Sequence, residues 1–92
     1  MIRGFRDKKT QQFFAGEMVK KFSSFKEVTE RNLTMLDNAS DLKDLLSPPG
    51  NLLEMLKADR IGQHSIRIND QWRILFRWTD AGPTDVEIRD YH

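Results

Sequence analysis

A chain of 92 residues is long enough for one domain with a single core, because at that size roughly 60 to 65 per cent of the unfolded surface can be buried. With 38% hydrophobic and 32% charged residues it has the balance of a folded domain rather than a disordered segment, and the absence of cysteine excludes a disulfide framework and a thiolate metal site. The net charge of +1 lacks the basic excess of a general nucleic-acid binder, so any basic site has to be local.

"MIRGF" alternates apolar and polar positions and predicts a short first strand. In "DKKTQQFFAGEM", Asp7 is placed to cap a helix that buries Phe13, Phe14 and Met18. "SSFKEVTERNLTMLDNASDLKDLLSPPG" follows, with Ser24 and Glu27 at capping-box spacing and Phe25, Val28, Met35, Leu36 and Ala39 at near-helical intervals. Ser40 is placed to cap a further turn, "DLKDLL", and Pro48-Pro49-Gly50 is expected to end all helix. Beyond it the period changes. "NLLEMLK", "QHSIRIN", "WRILFRW" and "DVEIR" are short and rich in β-branched and aromatic residues, and turn-like segments separate them. The expected architecture is α+β over residues 1–92 as one domain: an N-terminal strand and a helical pair packed on one face of a small antiparallel β-sheet.

Strand alternation puts Ile66, Ile68, Trp72, Ile74, Phe76, Trp78, Val86 and Ile88 on the helix side. The other side carries Arg67, Arg73, Arg77, Arg89 and Tyr91, with Leu75 as the exception. Such a face has two readings. It is a solvated surface with charges for solubility, or a set of guanidinium groups converging on phosphate, which arginine binds bidentately.

Histidine is the side chain whose ordinary range lies near neutrality, which makes His92 the natural proton handler, although a histidine there is also compatible with plain solvation. Tyr91 can stack on a base or pack on the sheet edge, and Asp90 can orient its neighbours or pair with an arginine. His64 points to the core by parity and reads as a structural histidine with a satisfied hydrogen bond; Trp72 and Trp78 read as core. Glu54 and Lys57 lie three apart, next to a loop holding Asp59 and Arg60. No glycine-rich phosphate loop, zinc-ligand spacing or nucleophile elbow occurs. "MIRGFRDKKT" has no apolar signal core and no run reaches the length of a membrane span, which predicts a cytoplasmic protein with no membrane partner.

The segment "SPPGNLLEMLKADRIGQHSIRINDQWRILFRWTDAGPTDVEIRDYH" resembles the HigB-type toxins of bacterial toxin–antitoxin pairs, a branch of the RelE/ParE superfamily. "GQHSIRINDQWRI" followed by "DYH" is the specific combination, and the likeness extends to "MIRGF" and the helical pair. The resemblance implies a RelE-like fold and a ribosome-dependent endoribonuclease that cuts messenger RNA without metal or other cofactor. It also implies a cognate helix-turn-helix antitoxin of the HigA type, with operator DNA reached only through that antitoxin.

By the same resemblance Asp90, Tyr91 and His92 form the active site with Lys57 and Arg73, and RNA lies over Arg67, Arg77 and Arg89. Some members carry a histidine three residues before the lysine, where this chain has Glu54, so Glu54 and His92 both stand as candidate general base. Two alternatives remain at this stage: a gyrase poison of the ParE kind, and an inactive toxin relative kept as a repressor partner.

Overall fold

The computed structural model describes residues 1–57 and 60–90. Helix α1 spans Lys8–Phe14, and it begins there because the Asp7 carboxylate accepts the Thr10 N–H at 3.3 Å, satisfying one of the donors a helix start leaves free. The helix is shorter than expected. Phe13 is buried, but Phe14 is 38% exposed and Met18 is 92% exposed, because the helix ends at Phe14 and Met18 falls in the stretch after it.

A 3₁₀ turn over Lys20–Phe25 runs straight into helix α2, Lys26–Asn38. Ser24 therefore sits inside that turn and caps nothing; the entry residue is Phe25, which makes no side-chain cap and is held by ring contacts with Phe22 and Trp72. Helix α2 buries Thr29, Asn32, Leu33 and Leu36, one face at spacings of three and four. Asn32 Nδ2 donates to the Arg67 carbonyl at 3.0 Å and so fastens α2 to the sheet.

The next 3₁₀ turn, Leu42–Leu46, is capped by Asp41 and not by Ser40. Asp41 accepts from the Lys43 N–H at 3.2 Å, while the Asp44 carboxylate accepts from the N–H groups of Ser40 and Asp41. Helical structure does not stop at the prolines either. Pro49–Asn51 forms one more 3₁₀ turn, since a proline lacking its N–H is tolerated where a helical turn starts.

Four antiparallel strands follow in the order β1-β2-β3-β4: β1 Glu54–Met55, β2 Gln63–Arg67, β3 Trp72–Thr79 and β4 Gly82–Asp90. The stretch "NLLEMLK" thus contributes only two residues of strand. "MIRGF" is not a strand of this sheet. It lies along β4 with one parallel bridge, Phe5 to Val86, supported by Arg3 N–H to the Pro83 carbonyl at 2.7 Å and Arg6 N–H to the Val86 carbonyl at 2.9 Å. At Gly82, which has φ +120°, a Cβ would come within 2.5 Å of the Met1 carbonyl oxygen, so only glycine admits this approach.

The predicted core register holds. Ile66, Ile68, Ile74, Phe76, Val86 and Ile88 join Phe13, Phe22, Leu33, Leu36 and Leu45 in one cluster, with Trp72 and Trp78 packed at its margin. Full burial of each such side chain contributes about 1.5–3 kcal/mol. A register shift between Leu75 and Arg77 inserts Asp85, at φ +52°, as an extra residue in β4. The bulge turns Thr84 to face Arg77 while keeping Val86 in the core.

Candidate functional site

The sheet face away from the helices is built from cross-strand rows. Arg67 pairs with Arg73, and Arg73 pairs with Arg89, so three arginines stand side by side across β2, β3 and β4. The next row is Glu54, Ser65, Leu75 and Glu87, and beyond it Gln63 pairs with Arg77. Like charges directly opposite each other on a sheet repel, so such a row needs partners. Arg67 pairs with Asp70, and Arg89 lies 3.5 Å from Glu87.

Arg73 is held differently. Its Nε donates to Ser65 Oγ at 2.8 Å and its NH2 group donates to the Leu52 carbonyl at 2.6 Å. The guanidinium therefore leans across β2 toward β1, on the side that carries Glu54, and it fastens the left-handed Leu52 that leads into that strand. Lys57 is exposed two residues past β1, where its carbonyl accepts the Arg60 N–H at 3.2 Å. Asp90 pairs with Trp72 at the end of β4, which by alternation sets it on the helix side; its carboxylate accepts from Gln71 Nε2 at 2.8 Å. Glu54, Arg73, Arg67 and Arg89 are thus brought to one face, and Asp90 lies at its end on the other side of the sheet. Tyr91 and His92, like Asp59, lie outside the described residues.

The centre of this face is not solvated, which corrects the expectation of an uncovered basic surface. Leu75 is fully buried and Leu56 is 4% exposed, yet neither belongs to the main core. They are buried on the arginine side, with Gln63, Ser65 and Glu87. Glu87 is the buried acid of the site: its carboxylate lies 3.4 Å from Arg6, 3.6 Å from Arg60 and 3.5 Å from Arg89. Arg6 and Glu87 were not singled out from the sequence. For Glu87 the signal was present, since it alternates with Val86 and Ile88 and must share a face with Arg89. Nothing local marks Arg6, which arrives from a segment remote in sequence.

His64 pairs with Phe76 and stacks on its ring at 5.8 Å between centroids. Among the described residues its imidazole makes that contact and no hydrogen bond, so the expected hydrogen-bonded histidine is instead one held by packing. Burial lowers its pKa, as desolvation does to a cation. The described residues hold no cluster of three or more metal-ligating side chains.

The chain is 38% identical over 83 residues to Toxin HigB-1 of Vibrio cholerae, covering 88% of this chain and 87% of that one. It is 34% identical over 76 residues to an uncharacterised protein of Haemophilus influenzae, covering 80% and 75%. The fold is similar to that of YoeB from Staphylococcus aureus: TM-score 0.63 at 19% identity to the YoeB-YefM complex, over 100% of this chain and 98% of that one, and 0.63 at 21% identity to the YoeB dimer, over 99% and 94%. A model of the HigB-like toxin family, described as the RelE-like toxin of the type II toxin–antitoxin system HigB, matches residues 3–92, and the chain belongs to that family.

Proposed function

We propose that this toxin is a ribosome-dependent endoribonuclease that cuts messenger RNA in the cytoplasm and is neutralised by a HigA-type antitoxin. The observation that carries the reading is the row Arg67, Arg73 and Arg89, three guanidinium groups in register beside the strand that runs to Asp90. One sheet face with that much positive charge suits a polyanionic strand, and membership of the HigB-like toxin family supports reading that strand as RNA.

Cleavage without metal needs the 2′-hydroxyl to attack the adjacent phosphorus in line, a base for its proton, positive charge for the phosphorane and an acid for the departing 5′-oxygen. Arg73, with Lys57 and Arg67, stabilises the phosphorane charge. His92 acts as general acid, with Glu54 as base; if Glu54 serves only to orient Lys57, His92 takes the proton instead and the departing 5′-oxygen is protonated by water. Tyr91 stacks on or positions a nucleotide and Asp90 orients its neighbours. Arg77 and Arg89 bind the strand.

Deleting His92 is expected to slow cleavage about 10²- to 10⁴-fold, the usual contribution of a proton-transfer group. Arg73→Ala is expected to cost about 10²- to 10³-fold. Primer extension on cellular messages after induction reads both, and thermal melting separates loss of activity from loss of fold. Undiminished cleavage in both variants refutes the site. Supercoiling loss with intact messages would instead mark a gyrase poison.

A further inference from the structure

The same face has a second basic place that the cleavage chemistry does not use. Arg6 from the N-terminal segment, Arg60 from the stretch after β1 and Arg77 from β3 line, with Gln63, a surface cavity of about 130 Å³. The acid beneath faces inward and the bases face out: the Glu87 side chain is 9% exposed, against 50% for Arg6, 24% for Arg60 and 48% for Arg89. Gln63 is almost fully buried and accepts from Arg60 at 3.1 Å, which fixes that guanidinium.

Arg77 has a seat of its own. Its NH1 group donates to the Ile61 carbonyl at 3.4 Å and its Nε lies 3.5 Å from Asp85. At Gly62, which has φ +90°, a Cβ would come within 2.7 Å of Arg77 NH1, so the glycine makes room for the guanidinium. Among the described residues, four guanidinium groups meet two carboxylates here, and positive charge is left over. Charges kept for solubility need no buried acid, buried amide and glycine to seat them; preoriented donors suit a bound anion.

We propose that Arg6, Arg60 and Arg77 bind a backbone phosphate of the RNA strand, with Glu87 as the positioning residue. This niche rests on the RNA-cleaving reading and lies about 13 Å along β3 from Arg73, four residues at strand rise. It extends the strand-binding surface to two arginines from outside the sheet.

The test follows the arginine Nε–H resonances of the full chain, titrated separately with inorganic phosphate and with a 2′-O-methylated RNA pentanucleotide that cannot be cut. The Arg60 and Arg77 signals are expected to shift with the oligonucleotide at lower concentration than with phosphate. Arg60→Gln is expected to weaken that binding and to lower the salt slope of log K by about 0.7, one phosphate contact on a single strand, with thermal melting to show that the variant is folded. Gly62→Ala is expected to weaken it too, at a lower thermal midpoint, because alanine is strained at φ +90°. Shifts with phosphate alone, shifts with neither probe, or unchanged affinity in Arg60→Gln overturn the niche. If Arg73→Ala abolishes cleavage while Arg60→Gln binds as before, the niche falls and the nuclease stands. If the chain cuts no message yet shows the oligonucleotide shifts, the nuclease falls and the niche stands.

Discussion

His64 is one residue with a measurable consequence. Burial against Phe76 holds its imidazole below the 6.5 of the unfolded chain. Between the depressed folded value and 6.5 the unfolded chain binds more protons, so this contribution to stability is complete above about pH 6.5 and is lost as pH falls through the folded value. Thermal midpoints from pH 7.5 to pH 5 are expected to drop more steeply in the native protein than in His64→Gln; equal slopes would contradict it. Side-chain direction was legible here from parity, and so was the core position of eight sheet residues. Parity cannot say what covers the other side. Leu75 looked like an exception and Glu87 drew no reading, because what covers that side is brought from other parts of the chain, as Arg6 and Arg60 are to Glu87.

At the scale of elements, the short 3₁₀ turns decide where β1 begins. Buried Asn51 donates to the Leu45 carbonyl at 3.0 Å and so ties the Pro49–Asn51 turn to the Leu42–Leu46 turn. Asn51→Ala leaves that carbonyl without its donor inside the protein, an expected loss of about 1–3 kcal/mol in urea unfolding. Amide exchange at residues 52–57 is expected to quicken while β3 stays protected; a uniform change along the chain would deny the turn its local role. Helix α2 and the meander were readable from period alone, since each repeats its pattern over several residues. The caps were not. Ser24 has the right spacing but lies within a 3₁₀ turn, and the working box is Asp41 with Asp44. Two-residue β1 carries too little alternation to be delimited.

Across the whole molecule, helices cover one side of the sheet and the N-terminal segment covers its last edge. Arg3 and Arg6 donate to β4, Gly4 accepts from Val86, and Ile2 and Phe5 pack against the core. An open strand edge is a template for pairing with another chain. Removing residues 1–5 is therefore expected to lower the unfolding midpoint and to cause self-association, read by sedimentation velocity; a stable monomer would show that β4 needs no cover. Bulk charge gave no sign of the basic face, because the near-balance of 15 basic and 14 acidic residues hides their separation in space. Only alternation, and then the family resemblance, pointed to that side.

The bond from Arg73 to the Leu52 carbonyl makes the site mechanically linked to the loop beside it. A ligand that drew this guanidinium outward would have to break its hold on Leu52, so occupancy would be felt in the backbone leading to Glu54 and Lys57 as well as at their side chains. In that sense the arginine is a latch: its release is a signal that the neighbouring backbone can transmit.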